Sequence, residues 1–329
     1  MPDLNQLIEA SAIQCKTFNC TVLTPLFLHG WQETVVTGHG RPVNRPVSAE
    51  FRIPSMKGVL RYWWRTLQPL KLQALQQKEQ ELFGGTSGDK GQRSPLLLKV
   101  SILDRGPSSE NMNTSSLCPH KGGMPSLALP ADREFAFELA VHQRNAARLS
   151  EYEAICQFMF LLAGFGQRSR RGAGSLQVEG LCWQNIKEYQ NSLRETLQSL
   201  NCANDFEFPN GNTGGCLLQR KRRESTEARG AFHPILQRVW VGSDSRTAEE
   251  ARRQISNAGH LANPSGKAQY LGNVGGKGIA RLASPLLCTV RKIGEAYCPI
   301  VSEVSSPHLG KNVYIQRRNE FLEALGVKV

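Results

Sequence analysis

Read for the spacing of its apolar positions, the first half of the chain falls into six main segments. Cys15–Leu23, rich in Thr, Phe and Val, predicts a strand that Thr24-Pro25 stops. After a Gly/His/Pro-rich loop to about Ser48 and a short strand over Ala49–Ile53, Pro54-Ser55 opens a helix, with serine a suitable cap. Met56, Val59, Leu60, Trp63, Trp64 and Leu67 follow at helical spacing, and Pro69 ends the run. Gln68–Phe83 predicts a further helical stretch closed by Gly84-Gly85. Pro95–Leu103 and Arg133–His142 read as strands, separated by a Gly/Ser/Asn/Pro-rich insertion over Arg105–Pro130. Ser150–Ala163 is a strongly apolar helix, and Ser175–Leu181 a last strand. Setting the Gln68–Phe83 stretch aside, strand, helix, strand, strand, helix, strand is the order of a ferredoxin-like β-α-β-β-α-β unit, with its helices on one face of a four-stranded antiparallel sheet.

The second half carries weaker periodicity. Ile186–Leu200 predicts a helix, Asn201–Gly215 a loop, Arg238–Val241 a strand and Thr247–Ile255 a helix. Gly259–Gly278 is dense in Gly and Asn; Ile279–Val290 and Ala296–Val304 predict strands, and Val313–Leu325 a final helix. The expectation is an α+β chain of two units, residues 1–181 and 182–329, the second a degraded copy of the ferredoxin-like pattern.

Composition changes the picture in three ways. With 329 residues and 40% apolar positions the chain can bury two cores. Lys and Arg number 40 against 28 Asp and Glu, a net charge of +12 that attracts polyanions: nucleic acid, an anionic membrane or an acidic protein. No apolar run suffices to span a bilayer and Met1–Ala10 lacks a signal-peptide pattern, so a cytoplasmic protein is expected. The nine cysteines, odd in number and without a CxxC pair, suit free thiols in a reducing compartment. Cys118-Pro119-His120 has no second pair at ligand spacing, so no metal is expected.

Two segments carry candidate chemistry. Lys57, Arg61 and Arg65 recur every fourth residue and so share one side of a helix. Three like charges in a row repel one another, which a nearby anion would relieve; the bland alternative is a solvated basic face. Trp63 and Trp64 belong with the apolar stripe, not with base stacking. The loop Gly164–Gly174 holds four glycines with Arg168, Ser169, Arg170 and Arg171, more of both than a structural turn needs. Glycine admits close approach of a sugar-phosphate chain and arginine grips phosphate with a planar fork, so the arginines are expected to serve binding, not folding. A second glycine-rich loop, Gly272–Gly278, fails as a phosphate-binding P-loop because Leu271 and Gly278 stand where Gly and Ser/Thr are required. It is read as RNA-facing, with Lys277 and the nearby Arg281 as contacts, while Arg220–Arg223 is a phosphate contact or a solvated run. The seven histidines share no motif. His29 and His39, flanking Trp31 near the basic helix, are the alternative: a general base for RNA cleavage through the 2′-OH, against the plainer role of hydrogen-bonding loop histidines. Asp89 and Asp104 have no evident partner.

Thr24-Pro25-Leu26-Phe27-Leu28, Arg52-Ile53-Pro54-Ser55-Met56-Lys57-Gly58-Val59-Leu60-Arg61-Tyr62-Trp63-Trp64-Arg65 and Gly166-Gln167-Arg168-Ser169-Arg170-Arg171-Gly172-Ala173-Gly174-Ser175-Leu176 together resemble the RAMP superfamily of CRISPR effector subunits. Within it they are most similar to the first subunits of type III-B Cmr complexes. Ala283-Ser284-Pro285-Leu286 resembles that group's C-terminal domain. The resemblance implies two ferredoxin-like domains with a basic cleft between them. It implies a non-catalytic subunit that holds the 3′ part of the crRNA and helps capture single-stranded target RNA, beside other Cmr-type subunits including the backbone subunit. It implies no cofactor. The expected RNA contacts are Arg52, Ser55, Lys57, Arg61, Arg65, Gly166, Arg168, Ser169, Arg170, Arg171, Gly172, Lys277 and Arg281. Ala173 departs from the larger apolar or aromatic residue of many members. The competing reading is a RAMP-type, metal-independent endoribonuclease that trims crRNA through His29 or His39.

Overall fold

Phe18, Cys20 and Val22 turn alternate side chains of the strand Ile13–Val22 (β1) into a core, while the residues between them face outward. The computed structural model describes residues 12–30, 32–36, 42–46, 48–87, 90–104, 110–113, 125–209, 214–221, 233–263, 270–272 and 282–329. β1 pairs antiparallel with Glu134–His142 (β3) on one side and Leu176–Val178 (β4) on the other, and β3 pairs with Leu96–Ile102 (β2). The sheet order is thus β4-β1-β3-β2. Between β1 and β2 run two helices, Ile53–Thr66 (α1) and Leu72–Phe83 (α2); between β3 and β4 runs Leu149–Leu162 (α3). Trp63 of α1 lies edge-on to Phe158 of α3, and Phe160 of α3 touches Phe18 and Phe137, so aromatic rings join the helices to the sheet. The core placement of Trp63 and Trp64 holds: both are buried.

The second sheet has the order β5-β6-β7-β9-β8, built from Phe206–Glu207 (β5), Cys216–Arg220 (β6), Leu236–Val241 (β7), Leu286–Ile293 (β8) and Ala296–Val304 (β9). Both its faces are covered. Leu217, Val239, Leu287 and Ile300 join the core shared with the first sheet and with the helix Ile186–Ser199 (α4). Trp240, Cys288, Val290 and Val301 pack instead against Ala248–Leu261 (α5) and Asn312–Glu323 (α6). A Thr247–Glu250 capping box starts α5, and Asn185 caps α4 by accepting from the Glu188 amide. The strand–helix–strand–strand–helix run β7-α5-β8-β9-α6 repeats the order of the first half. The position beside β7 is filled, however, by β6, which precedes β7 in the chain and does not follow α6.

Several sequence expectations need correction. Ala49–Ile53 is not a strand: Ala49 forms one bridge to His29, and Ile53 already begins α1. Arg52, not Ser55, is the α1 N-cap, with no side-chain cap bond. Strands β5 and β6 arise in a region of few apolar residues, the first inside the expected loop, and two ribbons (Gln32–Val36 with Pro42–Pro46, Glu110–Asn113 with Pro125–Ala128) lie within segments expected as loops. Helix α5 runs on to Leu261, carrying Gly259 inside it, and β8 begins only at Leu286. The described cysteines are all free thiols, four buried and two exposed. Among the described residues no helix is long and apolar enough to cross a membrane, and no cluster of His, Cys, Asp and Glu could hold a metal ion.

Candidate nucleic-acid interface

The turn after β1 and the glycine-rich loop are built as one piece. Thr24 Oγ1 donates to the Gly172 carbonyl at 2.7 Å and accepts from the Ser175 amide at 2.9 Å. The Gly174 amide donates to Pro25, and the Gln167 amide to Phe27. Gly166 and Gly174 adopt φ of +76° and +63°, and a Cβ at either would strike a backbone carbonyl, Phe27 O at 2.5 Å or Phe165 O at 2.0 Å. Gly164 and Gly172 also meet protein rather than open space: the Ser169 carbonyl and the Ile255 side chain. The four glycines are therefore accounted for by close packing of the loop, correcting the expectation that a turn would need fewer.

The same loop is riveted to the second sheet. Ser175 Oγ accepts from the Val290 amide at 2.9 Å, and the Gly172 amide donates to the Cys288 carbonyl. Arg170 donates to the Ser284 carbonyl and lies 5.8 Å over the Tyr62 ring of α1. The Ala283-Ser284-Pro285-Leu286 segment is thus the loop's docking point. Arg171 runs between α5 and α6: its guanidinium lies 5.8 Å over Phe321, and a Cβ on Gly259 would touch its Nε at 3.4 Å. Burial pushes its pKa down, partly offset by Cys288 and reinforced by Arg168 and Arg170. Arg171 is therefore a structural side chain, and Arg170 in part, which corrects the expectation that all three arginines are free for binding. Arg168 differs. It is exposed in a left-handed conformation (φ 59°, ψ 16°), and its guanidinium has no partner among the described residues.

The expected basic stripe of α1 is turned elsewhere. Arg61 Nε meets Glu79 Oε1 at 2.6 Å and Arg65 Nη1 meets the same oxygen at 3.2 Å, with the Glu79 carboxylate of α2 buried. The anion expected from a ligand is supplied by the protein. Lys57 donates to Ser94 Oγ at 2.9 Å; burial, then Arg61, push its pKa down. Tyr62, one residue and about 100° around the helix from Arg61, faces the loop instead. Ser55 and Gly58 precede it by seven and four positions and so share that side. Gly58, which stands in the resembling motif but not among the expected contacts, lies inside a helix where a Cβ would meet nothing within 4 Å among the described residues. A glycine in the middle of a run with helical spacing was the available signal.

His29 joins the two parts. Its carbonyl accepts from Arg52 at 3.3 Å, and its Nδ1 lies 3.5 Å from the Gln167 amide nitrogen. Its Nε2 meets the Leu127 carbonyl at 2.6 Å and so carries the proton, leaving only Nδ1 as a base. Arg52 also lies 3.8 Å from Glu50. Asp104, without a partner in the sequence reading, pairs with Arg133 at 2.6 Å. Arg220 pairs with Asp205 at 3.4 Å. Trp31, His39, Asp89, Cys118, His120, Arg222, Arg223, Lys277 and Arg281 lie outside the described residues. The described members of the expected set thus fall into three places: a group at the loop (Arg52, Gly166, Arg168, Ser169, Arg170 and Gly172, with His29, and Ser55 on the same side of α1), a group facing α2 and Ser94 (Lys57, Arg61, Arg65), and Arg171 between α5 and α6.

This arrangement can be set against known proteins. The RAMP superfamily model matches residues 19–177, the region holding the turn, α1 and the loop. The chain is 25% identical over 194 residues to the CRISPR system Cmr subunit Cmr1-2 of Pyrococcus furiosus, covering 50% of this chain and 95% of that protein. Its fold is similar to the apo form of Cmr1 from Pyrococcus furiosus, with a TM-score of 0.57, 19% identity and coverage of 95% of this chain and 97% of that one. It is also similar to a chain of a type III-B Cmr-beta complex solved bound to cognate target RNA, with a TM-score of 0.52, 11% identity and coverage of 95% and 99%. The region that builds the turn, α1 and the loop thus matches the RAMP superfamily model over a little under half of the chain, and the fold as a whole is similar to that of Cmr1.

Proposed function

We propose that this chain is a non-catalytic, RNA-binding subunit of a type III-B Cmr-type effector complex, holding the 3′ part of a crRNA and helping capture single-stranded target RNA. Its partners are the other Cmr-type subunits, the backbone subunit among them, and its place is the cytoplasm. In this reading the two sheets are two ferredoxin-like units, residues 1–181 and 182–329, with a basic cleft between them. The second is a permuted copy in which β6 takes the fourth strand's place. One observation carries the RNA reading: the bare backbone at Gly58 lies on the same side of α1 as Tyr62, which stacks with the loop, and the loop presents Arg168 without a partner among the described residues. Such a surface admits a sugar-phosphate backbone and gives it a guanidinium.

Binding of single-stranded RNA by the purified chain tests this. Each phosphate neutralised contributes about −0.7 to the slope of log affinity against log salt, so a slope near zero would sink the reading. Gly58→Ala sharpens the test. It is expected to stabilise the fold by about 0.5–1 kcal/mol, because alanine is the better helix former and clashes with nothing, yet to weaken RNA binding by filling the approach. If the melting temperature rises and binding is unchanged, RNA does not pass over α1. No RNA cleavage by the isolated chain is expected; cleavage in EDTA that is lost on His29→Ala would replace this reading with the endoribonuclease.

A further inference from the structure

We infer a second phosphate-binding site, at the far end of the first sheet from the glycine-rich loop. His142 pairs with Ile13 at the start of β1, whereas the loop meets β1 beyond its last residue, Val22. Ten extended residues separate the two ends by roughly 30 Å at about 3.4 Å per residue. At the His142 end a cleft of about 230 Å³ is lined by Arg93, Arg144, Arg148, His142 and Asn145, with Glu81 the one carboxylate among the described residues of its wall. Three guanidinium groups against one carboxylate leave two surplus positive charges from these four side chains. Arg148 is fixed by donating to the Glu81 carbonyl at 2.7 Å. Arg93 and Arg144 are exposed, and neither has an ion-pair partner among the described residues.

The ligand that fits is a nucleotide, with its phosphate on the arginine forks and a ribose hydroxyl on Glu81. Arginine matches the tetrahedral oxygens of phosphate bidentately, and Asn145 adds a neutral donor. An acidic peptide would bring further carboxylates against Glu81 and could offer it only backbone amides, whereas a nucleotide keeps its charge on the phosphate and presents ribose hydroxyls that donate. The phosphate can belong to a strand that also reaches the loop or to a free nucleotide, and the two sources are separable by experiment.

The test uses the full chain, the Arg93→Ala/Arg144→Ala variant and Arg168→Asn. Inorganic phosphate and a nucleoside monophosphate are probed by melting shift. A trinucleotide, too short to join the two regions, and a strand long enough to cover both are probed by salt-dependent binding. The expected result is that wild type and Arg168→Asn are stabilised by nucleoside monophosphate and the double variant is not. The long strand should lose about 0.7 of salt slope per contact in the double variant, and the trinucleotide should lose its binding at this cleft while keeping its binding at the loop. Loss of the monophosphate shift with an unchanged long-strand slope would keep the site and assign it to a free nucleotide. Equal shifts in wild type and double variant, or none in either together with unchanged RNA binding, would overturn it. So would loss of a protein partner without any effect on phosphate or RNA. Because the monophosphate arm needs no RNA, the site can stand if the loop's RNA reading falls, and the reverse.

Discussion

Arg168, Arg170 and Arg171 stand within four positions of one another, yet their side chains meet solvent, a backbone carbonyl and a cleft between two helices. Substitutions should separate them. Arg168→Asn keeps a residue that tolerates the left-handed backbone, so stability should change by no more than about 0.5 kcal/mol while RNA affinity falls and its salt slope flattens. Arg171→Ala removes packing against Phe321 and the bond to the Leu271 carbonyl, and should cost about 1–3 kcal/mol. Melting curves and binding titrations on both variants read this directly. If Arg171→Ala melts like wild type and loses RNA, its side chain is not structural. Nothing in the string Arg-Ser-Arg-Arg distinguishes these roles, because those of Arg170 and Arg171 are fixed by residues a hundred or more positions away: Ser284, Leu271 and Phe321. The glycines were legible as a constraint, but not as a constraint imposed by the protein's own backbone.

Among the elements, the legible ones are those whose pattern is set locally. β1, β3, α3, α4, β9 and α6 fall close to the segments their periodicity marks, since each buries a continuous apolar face. β5 and β6 were hidden because two- and five-residue strands offer too few alternations to stand out. The basic stripe of α1 was legible as a stripe, and its direction was not: the spacing of Lys57, Arg61 and Arg65 places them together, but Glu79 comes from another helix. Glu79→Gln should show what that carboxylate does. It removes the one negative charge that two guanidinium groups share in a half-dry site, so the α1–α2 pair should loosen by about 1–3 kcal/mol. The freed arginines should then steepen the RNA salt slope by up to about 0.7 each. A flatter slope in a still-folded protein would mean that Glu79 positions the arginines for RNA.

For the whole molecule, the division into residues 1–181 and 182–329 crosses one continuous core, and Arg291 of β8 lies buried at that crossing. Its guanidinium donates to the carbonyls of Phe160, Leu161 and Ala163 at the end of α3, satisfying acceptors that a helix terminus leaves open. Burial pushes its pKa down to about 10. Arg291→Met keeps an unbranched apolar stem but leaves those carbonyls dry, at about 1–3 kcal/mol each, and should lower the melting temperature more than either loop-arginine change. Calorimetry should show one transition for the intact chain; two well-separated transitions would mean that the halves are energetically independent. The hydrogen bonds that hold Thr24, Gly172, Ser175 and Val290 together bear on kinetics. The ordering cost of the loop is met when the chain folds, so an incoming ligand finds Arg168 already placed. Ser175→Ala, which unpins the loop from β8, should therefore change the arrival rate little and shorten the lifetime of the complex.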